Sequence, residues 1–264
     1  MRLAPLALGG GIHRVRHPAR ASHPPHPRLP RRADDGRDAR EEETRTPRFP
    51  VAFRFFPDRA HLEAALVGAG YDPALAASTA EEMAAVGGHR QVLLNEQSLA
   101  ALPWPGRVAL LAHELAHGLQ YELGGGRRGS SDQWLREGFA DWVAMRVLDR
   151  LRVLSEGEFR RQRVEQFRRG PARVAGLSGM ATFSEWVRLT ARTRGAVYHQ
   201  AFLAADFTIE RHGLPAVIDY FSRFARSDDP LENFRAAFGE SRAGFESALA
   251  IRLGVAKGRR PLCG

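Results

Sequence analysis

At 264 residues the chain holds one large domain or two small ones, and its 44% apolar content suffices for a real core. No apolar run approaches the length needed to cross a bilayer. A single cysteine, Cys263, excludes an intrachain disulfide framework and agrees with a cytoplasmic location. The net charge of +9 is uneven. Residues 1–50 hold eleven Arg and six acids, and one Lys (Lys257) stands beside thirty-eight Arg, which looks more like coding bias than a nucleic-acid surface.

Residues 1–48 are rich in Arg, Pro and His and poor in large apolar residues, so they read as a disordered basic tail ahead of a domain over 49–264. His13, His17, His23 and His26 fall in this Pro-rich stretch and are read as part of the tail. Met1–Gly11 is too short and too broken by Pro5 and its glycines for a signal peptide, so export is expected only if the true start lies elsewhere.

Order is expected from Pro50. Residues 51–56 read as a strand, and Asp58 caps a helix to about Val67. Residues 71–88 read as a polar, Ala-rich crossover, and 90–95 as a second strand. A helix follows, with Pro105 in its first turn and Val108, Leu111, Leu115 and Leu119 as an apolar stripe toward the core. Off that stripe lie His113, Glu114 and His117, an H-E-x-x-H pattern. Positions i and i+4 share a helix face, so both imidazoles can reach one metal ion, and Glu114 stands beside them as a general base. Taken alone, the triplet also fits two exposed histidines.

A breaker over 124–131 separates this helix from the next, which Ser131 or Asp132 is placed to cap. The second helix contains Trp134-Leu135-Arg136-Glu137-Gly138-Phe139-Ala140-Asp141-Trp142. Glu137 and Asp141 share a face, where like charges are mildly unfavourable unless something positive faces them. Trp134, Phe139 and Trp142 argue for a buried setting over a solvated acidic face. Glu137 can then be a third metal ligand, with Asp141 accepting the other ring N–H of a ligand histidine.

The rest of the chain reads as helical over 155–169, 183–191, 197–212, 214–226, 230–238 and 241–253, punctuated by Gly195, Gly213, Gly239 and Gly254. His212 suits a helix C-terminus. Arg160, Arg161, Arg163, Arg168 and Arg169 form the one basic cluster, diluted by Glu156, Glu158 and Glu165, which argues against nucleic acid as a partner. The fold class expected is α+β and mostly helical, with a small N-terminal αβ half, the His helix, and a C-terminal helical half.

"HELAH", then after nineteen residues the Glu of "WLREGFADW" with an Asp four positions on, resembles the gluzincin zinc metallopeptidases of the thermolysin-related, peptidase MA-like group. The resemblance is strongest over residues 90–145, weaker over 195–253, and does not reach the first fifty. It implies a zincin-like fold in which His113, His117 and Glu137 bind Zn²⁺, Glu114 is the base and Asp141 orients a histidine. It further implies that the strand before the zinc helix, through Leu94 and Asn95, edges the cleft and pairs with an extended peptide. A Tyr or His from the helical half would stabilise the oxyanion, a position that Tyr198 matches loosely with His199 beside it. The function so implied is hydrolysis of peptide bonds by metal-activated water in a peptide or protein substrate. The alternatives are a non-catalytic binding module on the same fold and an Arg-rich nucleic-acid-associated protein. Substrate identity, endo- against exopeptidase action and oligomeric state are not encoded in any motif.

Overall fold

A computed structural model describes residues 50–169, 176–193 and 195–254. The tail read over residues 1–48 and Cys263 lie outside them. The described chain is α+β and mostly helical, with one three-stranded sheet.

Strand β1 (Ala52–Phe56) leads into α1 (Arg59–Gly68), whose N-terminus Asp58 caps by accepting from the His61 N–H at 3.0 Å. Helix α2 (Pro73–Glu82) begins the same way, with Asp72 accepting from Ala74 and Leu75 ahead of a first-turn proline. Strands β2 (Ala85–Gly88) and β3 (Gln91–Asn95) form a hairpin in which Arg90 takes a positive φ of 58°. The sheet order is β1-β3-β2, with β1 parallel and β2 antiparallel to β3.

β3 is therefore central, hydrogen-bonded on both sides and buried on both faces. Leu93 packs with Leu62, Leu66, Ala76 and Ala80 of α1 and α2, while Val92 and Leu94 pack with Leu110 of the next long helix. This corrects the sequence reading twice. The crossover over 71–88 is a helix plus a strand, and the sheet edge beside the following helix is β2. Leu94 and Asn95 are buried, and Asn95 caps the short α3 (Glu96–Ala100) by accepting from the Ser98 N–H at 3.1 Å. Neither offers a free edge to a peptide.

Helix α4 (Trp104–Leu123) carries the His pair. The expected stripe of Val108, Leu111, Leu115 and Leu119 is only partly its core face. Leu110, Ala112, Glu114, Ala116, Gly118 and Gln120 are buried as well, because α4 is covered on one side by β2 and on another by α5 (Gln133–Arg150). Asp132 does stand at the α5 N-cap, but its side chain does not cap. It accepts from the Tyr220 hydroxyl at 3.0 Å and pairs with Arg242 at 2.6 Å, tying the start of α5 to elements far along the chain.

The helical part continues with α6 (Glu156–Arg169), a 3₁₀ turn (Leu177–Met180), α7 (Phe183–Thr193), α8 (Ala196–His212), α9 (Leu214–Arg223), α10 (Pro230–Phe238) and α11 (Arg242–Arg252). One core joins Trp134, Leu135 and Phe139 of α5 to Ala201, Ala204 and Ala205 of α8 and to Tyr220, Phe221, Phe234 and Phe245 beyond. Alanines on α8 permit a close approach. A Cβ on Gly138 would lie 2.1 Å from the Ala201 carbonyl oxygen and 2.8 Å from Ala205 Cβ, so only glycine fits there. No helix among the described residues is long and apolar enough to cross a membrane.

Candidate metal centre

Helices α4 and α5 bring His113, His117 and Glu137 to one point, their ligand atoms all within 4.8 Å of one another. His113 Nε2 and His117 Nε2 are 3.1 Å apart. His113 Nε2 lies 3.3 Å from Glu137 Oε2, and His117 Nε2 lies 3.6 Å from Glu137 Oε1. Bonds of about 2.0–2.1 Å around a tetrahedral zinc put its ligand atoms about 3.3 Å apart, so this triangle has the size of one face of such a tetrahedron.

The outer nitrogens explain why the inner ones converge. His113 Nδ1 bonds Asp141 Oδ1 at 3.0 Å, and His117 Nδ1 bonds Gln120 Oε1 at 3.0 Å. Both partners are acceptors; Gln120 is fixed that way round because its amide nitrogen donates to the Arg136 carbonyl at 2.9 Å. When neutral, each ring thus carries its proton on Nδ1 and turns an Nε2 lone pair inward, the tautomer a metal ligand needs. Two lone pairs and a carboxylate facing one another favour a positive charge between them.

The electrostatics point the same way. Burial alone pushes the His113 ring down, but Asp141 and Glu137 outweigh it and hold the ring well above the usual histidine range. Burial alone pushes Glu137 up, but His117 and His113 hold it far below the usual carboxylate range. The surroundings favour a cation at this spot, whether a proton or a metal ion. The donor set of two imidazoles and one carboxylate is of a kind that suits Zn²⁺, and among the described residues no fourth metal-binding side chain joins the group.

Glu114 is on the same helix and only 2% exposed. Its Oε2 accepts from the Gly87 N–H of β2 at 2.5 Å. A Cβ on Gly87 would lie 2.7 Å from that oxygen and 3.2 Å from His117 Cβ, so glycine alone lets the strand approach. Burial pushes the Glu114 carboxyl up, opposed by His113 and His117. The hairpin is also pinned at its turn, where Glu122 of α4 bonds His89 at 2.9 Å and Arg90 at 2.6 Å. His89, exposed at the turn, is part of that clamp.

Tyr198, in the first turn of α8, is partly buried and close enough to feel the charges of the site's carboxylates. Its ring packs edge-on against Trp186 with centroids 4.8 Å apart, and its hydroxyl accepts from Trp186 Nε1 at 3.4 Å. Burial, then the charges of Glu137, Asp141 and Glu114, push its phenol well above the usual range, so it stays protonated and can donate. His199 points elsewhere: its Nδ1 lies 3.0 Å from Arg163 Nη1. Burial and Arg163 draw its ring down to about 4.

Several residues here escaped the sequence reading. Arg163, taken there as one of a basic cluster, turns inward to pair with Asp141 at 3.0 Å and stacks over Phe159 and Phe202. Arg160 pairs with Asp206 and Glu156, and Arg169 with Glu165, so most of that cluster is consumed by ion pairs. Gln133 donates to Glu137 Oε1 at 2.6 Å. Gln120 and Gln133 were findable, since they lie three after His117 and four before Glu137 on the ligand faces. Gly87 and Arg163 come from elements with no sequence link to the motif.

Comparison with protein-family models, with curated proteins and with solved structures finds no match for this chain.

Proposed function

We propose that the chain is a zinc-dependent peptidase of the gluzincin kind, with a zincin-like arrangement of sheet, His helix and Glu helix. The observation that carries this reading is the triangle of His113 Nε2, His117 Nε2 and the Glu137 carboxylate, with each ligand anchored from behind by Asp141, Gln120 or Gln133. When bound there, zinc supplies a Lewis acid that makes water a nucleophile at neutral pH.

The protein's own groups do the rest. Glu114, held at Oε2 by Gly87, takes a proton from the attacking water on its other oxygen and passes it to the leaving amine. A carboxyl pushed up by burial is suited to both halves of that transfer. Tyr198, protonated and with its hydroxyl lone pair turned to Trp186, donates to the oxyanion that forms at the carbonyl. Asp141 and Arg163 keep the His113 ring in its tautomer and orientation. β2, the edge strand of the sheet beside Glu114, is the strand left to pair with an extended peptide, in the place the sequence reading gave to β3.

The test is hydrolysis of a denatured protein by the full chain before and after chelation. Activity is expected to vanish with the metal and return with one equivalent of zinc. Hydrolysis that is indifferent to the chelator would overturn the reading.

A further inference from the structure

Beside the metal site lies positive charge that its carboxylates do not balance. Gln133, Arg136 and Glu137 stand at i, i+3 and i+4 of α5 and share a face. Arg136 is 3% exposed, yet its acceptors are neutral: Nη1 donates to the Arg128 carbonyl at 3.3 Å and to the Ser131 hydroxyl at 3.1 Å. Its guanidinium lies over the Tyr121 ring, 5.5 Å from the centroid. Arg128 reaches the same face from the preceding loop. Its Nη2 donates to Gln133 Oε1 and its guanidinium covers Phe183 at 4.7 Å. Among the described residues the ion pairs around the site belong to Asp141 with Arg163, Asp132 with Arg242 and Arg127 with Asp228, and neither Arg128 nor Arg136 has a carboxylate at ion-pair distance.

Anchoring the loop accounts for the two N–H groups of Arg136 Nη1 and not for its charge. A glutamine could hold the same two oxygens without the cost of desolvating an ion. What is assembled is a set of donors with a surplus of positive charge, and a divalent cation at Glu137 adds to that surplus.

Distance places this set within reach of a substrate. Arg128 is joined to the Glu137 carboxylate through a single amide side chain, Gln133. That is on the order of one to two residues of extended peptide, at about 3.3–3.6 Å each. We propose that Arg128, with the buried charge of Arg136 behind it, forms a carboxylate subsite beside the metal centre, so that the preferred substrate bears a carboxylate within a residue or two of the bond cleaved. The group is either a free C-terminus or an acidic side chain. The inference rests on the peptidase reading for its substrate class.

Binding tests it apart from turnover. The zinc-loaded full chain carrying Glu114→Gln is titrated calorimetrically with one short unstructured peptide in three forms: C-terminal acid, C-terminal amide, and amide with an internal Asp. A charge-assisted contact of this kind is expected to make one carboxylate form bind about 10–100-fold tighter than the plain amide. Which form wins identifies the source of the carboxylate. Arg128→Gln, at a loop position, is expected to erase the preference while leaving zinc content and thermal midpoint in place. Arg136 is too buried for its loss to be read as cleanly. Equal affinity for all three forms, no binding of any, or a preference that survives Arg128→Gln would overturn the subsite. Hydrolysis by the wild-type chain separates the two proposals. Binding of carboxylate forms without cleavage would refute the peptidase and keep the subsite, whereas cleavage blind to the carboxylate would do the reverse.

Discussion

A neutral imidazole whose Nδ1–H is given to an acceptor presents a lone pair on the opposite side. His113 and His117, when neutral, are both in that state and turn those lone pairs to the same point as the Glu137 carboxylate. Glu137→Ala leaves two imidazoles and opens a face of the site. Zinc affinity is expected to fall steeply, well beyond the effect of Asp141→Asn, which weakens an anchor and is expected to cost about 10–100-fold. Chelator competition on the purified variants measures both, and undiminished affinity in Glu137→Ala would remove it from the ligand set. The ligand pattern was legible because helical spacing alone puts His113 with His117 and Glu137 with Asp141. Arg163 was not legible. It stands in an Arg- and Glu-rich run that reads as a solvated face, and only the packing of α6 turns this one toward Asp141.

At the scale of elements, the boundaries of the later helices were readable from their glycines and caps. Strand β2 was not. It is four residues long, ends in Gly87-Gly88, and turns through His89-Arg90 rather than an Asn-Gly pair, so it carries none of the usual hairpin chemistry. The same glycine that hides the strand lets it approach Glu114. Gly138 plays the equivalent part between α5 and α8. Gly138→Ala would normally favour a helix, but here the added methyl meets the Ala201 carbonyl and Ala205. The expected result is a loss of about 1–3 kcal/mol in denaturant unfolding, with zinc affinity falling as well because Glu137 is the adjacent residue. A neutral or stabilising Gly138→Ala would show that the two helices have slack.

At the scale of the whole molecule, the described chain sets a small sheet on one side of α4 and a helical core on another, so that the site draws on both. β2 supplies the N–H that holds Glu114, α5 supplies Glu137 and Asp141, α6 supplies Arg163, and α8 supplies Tyr198. The α+β, mostly helical architecture was legible from the sequence, whereas the order of the strands was not. An apolar run such as Val92-Leu93-Leu94 shows a buried strand without showing which neighbours bury it. In the proposed mechanism one group serves proton transfer without holding the metal, and the direct measurement is made there. Zinc content and hydrolysis of an unstructured peptide are compared in wild type and Glu114→Gln, a change that keeps size and hydrogen bonding but cannot accept the proton. The account predicts one zinc per chain in both and a fall in hydrolysis of at least about 10²–10⁴-fold in the variant. Equal hydrolysis by the two proteins, with zinc bound in each, would contradict it.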